Sequence, residues 1–152
     1  MPLVGIVIGS RSDEPEVQTT VNALDELGID HELHAISAHR SPQRVVDYIK
    51  DAEARGVEVI IAAAGGAAAL PGVIASWTIL PVIGVPLPSS ELKGVDALYS
   101  IVQMPPGVPV ATVAVGAWGA RNAAYLAAAI LGLKHATIKE AYESFRQRLR
   151  EG

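Results

Sequence analysis

The chain contains no cysteine. That excludes disulfides, thiolate-bound metals and a cysteine nucleophile, and it is compatible with a cytoplasmic location. Aromatic residues are scarce, at 5%. There is no excess of positive charge either. Twelve basic and 16 acidic residues leave a formal charge of −4, so no basic face for nucleic acid is expected. A membrane-crossing stretch is also missing. The longest uncharged run goes from Val59 to Ser90, but Gly65-Gly66, Pro71-Gly72, Pro81, Pro86 and Pro88 break it up. A membrane span needs about 20 apolar residues in one continuous helix. The run reads instead as a buried strand, a glycine turn, a packed helix and a second buried strand. The opening MPLVGIVIGS has no basic flank and no cleavage-like site, and reads as a first strand.

What is present fits one domain over residues 1–152, with half its residues apolar. Much of that half is alanine, which suits either buried subunit contacts or a tight monomeric core. Five apolar or β-branched stretches recur, at 3–9, 31–36, 57–63, 81–87 and 109–115. Between them lie helical stripes. Val17, Val21, Leu24 and Leu27 share one face, and Val45, Ile49 and Ala52 share another. Ile138, Ala141, Tyr142, Phe145 and Leu149 form a third. Alternating strands and helices predict a three-layer α/β/α sandwich around a flavodoxin-like parallel sheet. The first, fourth and fifth stretches are apolar enough for burial on both faces. The basic end, 146–152, reads as a solvated last helical turn.

The polar residues gather just after the strands. The turns are Gly9-Ser10-Arg11-Ser12-Asp13, Ser37-Ala38-His39-Arg40-Ser41-Pro42, Ala64-Gly65-Gly66-Ala67 and Pro86-Leu87-Pro88-Ser89-Ser90. In a parallel sheet all four lie along one edge, where such folds bind ligands. Ser10 and Ser12 supply donors beside a helix start, which suits a phosphate or a ribose. Asp13 repels phosphate but can accept from sugar hydroxyls; alternatively, it forms a capping box with Glu16. Arg40 is a permanent cation before a helix opened by Ser41 and Pro42, and is either an anion ligand or half of a surface salt bridge. Beside Arg40 and a positive helix end, His39 is disfavoured from taking a second positive charge. A neutral ring there is expected to exchange a proton with substrate, unless it makes only a structural bond. His31 and His34 fall on opposite faces of a strand, and His135 stands alone, so no metal site is expected. Gly65-Gly66 permits close backbone approach but is a weak signal, because GxGxxG is absent.

Five segments, GSRSD (9–13), SAHRSP (37–42), AGGAAALPG (64–72), PVIGVP (81–86) and GVDALYSIVQMPPGVPVATVAVG (94–116), together resemble the bacterial PurE family over nearly the whole chain. The resemblance implies a flavodoxin-like homo-octamer without a cofactor, acting on a small ribonucleotide in purine biosynthesis. It implies transfer of a carboxylate from an exocyclic nitrogen to ring carbon C4 of an imidazole. In the family's usual mechanism, carbon dioxide is released in a closed pocket and recaptured. By the same resemblance His39 protonates the leaving nitrogen and removes the C4 proton. Ser10, Ser37 and Arg40 hold the phosphate, Asp13 the ribose, and the backbone of Ala64, Gly65 and Leu70 encloses the base.

The chain departs from the family in one place within these segments. Mutases of the family usually read GGAAHLPG, and this chain has Ala69 at the histidine. Pro88 also replaces a commoner polar residue. The nearest rival is a carboxylase of the same fold that uses free carbon dioxide and carries a third turn resembling AGRSNAL. Gly66, Ala67 and Ala68 speak against it, and Ala69 speaks for it. A non-catalytic flavodoxin-like module is the other rival. A receiver-type module needs a carboxylate for magnesium near Ala62-Ala63-Ala64, and a flavin carrier needs aromatics in the first and third turns. Neither is there.

Overall fold

The computed structural model describes all residues from Met1 to Gly152. Five parallel strands form one sheet in the order β2-β1-β3-β4-β5. They are β1 (Val4–Ile8), β2 (His31–Ala35), β3 (Val59–Gly65), β4 (Val82–Leu87) and β5 (Ala111–Thr112). Six helices connect and flank them: α1 (Glu14–Glu26), α2 (Pro42–Arg55), α3 (Leu70–Ala75), α4 (Val95–Val102), α5 (Ala117–Leu131) and α6 (Ala136–Glu151). The strand order is that of flavodoxin-like sheets, whose ligand crevice opens at the β1/β3 reversal.

The sheet divides the core in two, because successive strand residues point to opposite faces. Ile6 and Ile8 of β1, with Ile61 and Ala63 of β3, meet α1, α5 and α6 on one side. Val7, Ile60 and Ala62 meet α2, α3 and α4 on the other. The α1 stripe is buried at Val17 and Leu24, and the α2 stripe at Val45, Ile49 and Ala52. The α6 stripe buries Ile138 and Phe145, but Leu149 is exposed, since the last turn runs past the edge of the core. Arg148 and Arg150 occupy that turn, where the negative helix end favours cations.

The fifth strand differs from expectation. The stretch 109–115 reads as a buried strand, yet β5 spans two residues at the sheet edge and is not buried. Two further bonds prolong the attachment: the Val113 amide donates to the Gly84 carbonyl at 3.1 Å, and the Gly116 amide to the Pro86 carbonyl at 2.9 Å. Pro109 has no amide to donate, so pairing starts late. Glu58 precedes β3 rather than belonging to it. Its carboxylate takes Lys134 Nζ at 2.5 Å and His135 Nε2 at 2.8 Å, so His135 does not stand alone. No helix is long and apolar enough to cross a membrane.

Candidate active site

The ends of β1, β2, β3 and β4 bring the four polar turns to one cleft of about 310 Å³. That is near the lower end of the range for small-molecule sites, about 300–1,000 Å³. Ser10, Asp13, Ser37, His39, Arg40, Ala64, Gly65 and Leu70 all line it. Ser12, Ala69 and Ser89 line it as well.

The first turn is a single 3-10 turn over Arg11–Asp13, capped by Ser10. The Ser12 amide donates to Ser10 Oγ at 3.3 Å, and the two hydroxyls lie 2.9 Å apart. This turn delivers Asp13 to the start of α1, where its side chain makes no capping bond. The capping-box alternative is therefore absent, and the carboxylate is left to the cleft. Burial pushes that carboxyl up, the Ser10 backbone amide draws it back, and the Glu16 charge raises it further. Arg11 points elsewhere, to Glu14 at 3.2 Å.

The second turn is folded by its own serine. The Arg40 amide donates to Ser37 Oγ at 3.1 Å, and the Ser41 amide to the Ser37 carbonyl at 2.9 Å. That leaves the Ser37 hydroxyl hydrogen available. Pro42 then opens α2, though the Ser41 side chain does not cap it. Ion pairs engage Arg11, Arg55 and Arg148, and Arg40 is in none. The surface salt-bridge alternative for Arg40 is not what the structure has. Ring nitrogens of His31 and His135 are hydrogen-bonded, and His34 lies 3.5 Å from Glu32. The ring of His39 has no protein partner of either kind, so the structural-bond alternative fails too. Both His39 and Arg40 are exposed. A single chain therefore leaves the cleft open, where a closed pocket is expected.

The third turn explains its two glycines differently. Gly66 has φ 61°, which a side chain disfavours. Gly65 is needed for space: a β-carbon there would overlap the Ser89 hydroxyl and lie 3.2 Å from the Leu87 carbonyl oxygen. Ala68 also takes a positive φ, 33°, and is buried with Leu70 against the α2–α4 side of the core. Leu70 thus lines the cleft while belonging to the packed core. Ser89 has no periodic or charged signature; only its position after β4 could have marked it.

Comparison with known proteins adds to this geometry. The family model described as "AIR carboxylase" matches residues 3–152. A Thermotoga maritima protein named N5-carboxyaminoimidazole ribonucleotide mutase is 55% identical, over 99% of this chain and 86% of its own length. A Pseudomonas aeruginosa protein of the same name is 57% identical, over 95% of this chain and 88% of its own. The crystal structure of Treponema denticola PurE superposes with a TM-score of 0.90 at 32% identity, covering 99% of this chain and 93% of that one.

Proposed function

The chain belongs to the AIR carboxylase family and acts in purine biosynthesis as an N5-carboxyaminoimidazole ribonucleotide mutase, and we propose that the cleft between its first four strand ends is where it does so. The supporting observation is a pair of neighbours on one turn: an unpaired guanidinium at Arg40 and an unbonded imidazole at His39, both lining a nucleotide-sized cleft.

Arg40 and the hydroxyls of Ser10 and Ser37 hold the phosphate, with Arg40 supplying a charge-assisted bond. Asp13 accepts from the ribose hydroxyls. The backbone of Ala64, Gly65 and Leu70 lies against the base. The reaction moves one proton in a cycle. As the N–C bond breaks, the leaving nitrogen needs a proton, which His39 gives. Ring carbon C4 then attacks the released carbon dioxide, and His39 removes the C4 hydrogen as a proton. The ring ends as it began. The balance requires His39 to enter the cycle as the imidazolium, and the anionic carboxylated substrate supplies a compensating charge. Carbon dioxide must not escape between the two steps, which requires water to be excluded.

The open cleft of one chain does not provide that exclusion. We propose that neighbours in a homo-octamer do, in the cytoplasm, with residues 1–152 as one domain and no cofactor. Apolar side chains left in solvent support the assembly: Ile79 is 102% exposed, Leu133 90% and Trp118 83%.

The test compares turnover of N5-carboxyaminoimidazole ribonucleotide by the natural chain and by His39→Asn. Loss of about 10²–10⁴-fold is expected, the usual worth of a placed acid–base group. Equal rates would remove His39 from the chemistry. Ala69 lines the cleft and matches the carboxylase pattern. The same assay is therefore run on the uncarboxylated ribonucleotide with added carbon dioxide. Activity on that substrate alone would replace the mutase with the carboxylase.

A further inference from the structure

We infer that Ser89 contacts the substrate, donating a hydrogen bond to the carboxylate that migrates; this rests on the function proposed above. The third turn encloses the base, yet the side chains it offers at the cleft, from Ala64, Gly65, Ala68, Ala69 and Leu70, carry no polar atom. A carboxylate brought against such a wall and stripped of water needs a donor. The cleft-lining hydroxyls of the first two turns serve the phosphate in the function proposed above, and each already meets a partner within its own turn. Those of Ser10 and Ser12 lie 2.9 Å from each other, and Ser37 Oγ accepts from the Arg40 amide at 3.1 Å.

Ser89 differs on both counts. It comes from the turn after β4 and makes no hydrogen bond within the protein, although it lines the cleft. Its hydroxyl occupies the space where a β-carbon of Gly65 would stand. Gly65 ends β3 opposite Leu87 at the end of β4, so the sheet fixes the two turns against each other. That places a free donor on the backbone that faces the base.

The next residue anchors it. Ser90 Oγ donates to Asp96 Oδ2 at 2.6 Å and accepts from the Leu92 amide at 3.2 Å. Asp96 lies in the first turn of α4. Ser89 is thus held between Gly65 on one side and the Ser90–Asp96 clamp on the other. Asp96 is a positioning residue in this arrangement and touches no substrate.

The experiment is calorimetric binding of two ligands: the 4-carboxylated ribonucleotide product and the uncarboxylated aminoimidazole ribonucleotide. They are titrated into the natural chain, Ser89→Ala, Asp96→Asn and the double variant, with mutase turnover measured beside them. Ser89→Ala should weaken the carboxylated ligand about 10–100-fold, the worth of one bond to a charged group. Its affinity for the uncarboxylated ligand should be unchanged. Asp96→Asn should show a smaller loss with the same selectivity, and none in the Ser89→Ala background. Unchanged binding of the carboxylated ligand, or equal loss for both ligands, overturns the role of Ser89 alone. A natural chain that binds neither ligand and shows no turnover overturns the functional reading and this inference together.

Discussion

Asp13 sits where binding and stability pull in opposite directions. Its carboxyl is pushed up chiefly by burial, with Glu16 adding repulsion and the Ser10 amide opposing both. A carboxyl raised in the folded state costs nothing while it is protonated in both states. It destabilises the fold once pH rises above the folded value. Asp13→Asn should therefore melt at a higher temperature than the natural chain at pH 7. That advantage should fade as pH falls through the carboxylate range. The gain is under about 1 kcal/mol, because the group is partly solvated. Ribonucleotide affinity should fall in the same variant, and a variant that melts lower at pH 7 would contradict the burial argument. Among the candidate site residues, His39 and Arg40 are legible as types in the sequence, since few turns have reason to carry both. Their lack of partners is legible only in the structure.

The edge strand β2 is tied to α2 by one carboxylate. Glu32 accepts from both terminal nitrogens of Arg55, at 2.7 and 2.9 Å, and from the Tyr48 hydroxyl at 2.9 Å. The Arg55 bonds hold the Glu32 carboxyl below its usual range, with the Tyr48 hydroxyl assisting against burial. The Tyr48 hydroxyl is pushed up, by its burial first and by Glu32 second. A lowered carboxyl contributes stability above its unfolded value, and that contribution is lost as pH falls through the folded one. Glu32→Gln should lower stability by about 1 kcal/mol at pH 7, since Arg55 is partly exposed and screened. The difference between the two proteins should shrink on acidification, in urea melts at pH 7 and near pH 4. The same scale shows why 109–115 is misread as buried. Apolar composition is shared by central and edge strands, so it does not by itself say which of the two a stretch becomes.

At the scale of the whole molecule, one chain forms the cleft and leaves it open to solvent. His39 is exposed, the cleft is open, and apolar side chains at Trp77, Ile79, Trp118 and Leu133 face solvent. Exposed tryptophans suit association sites, where aromatic residues are enriched. The natural chain should sediment as an octamer. Ile79→Asp and Trp118→Asp, made singly, should each shift it toward smaller species, because a charge buried in an interface is costly. Turnover should fall with assembly, although neither residue lines the cleft. An unassembled variant with full mutase activity would mean that one chain closes over its substrate unaided.

By itself the sequence determined the parallel α/β/α plan, the four polar turns and their shared edge. Those follow from local rules: strand and helix periodicities, proline and glycine in turns, and the handed geometry of β–α–β connections. It could not determine which partners the side chains find across the chain. Glu58 meets Lys134 at a separation of 76 residues, and Gly65 owes its missing side chain to the Ser89 hydroxyl. Nor could it distinguish a capping aspartate from one that lines the cleft at position 13. Such contacts depend on how strands register and helices pack, so ångström-scale placement in three dimensions decides them, and no spacing along the chain encodes it directly.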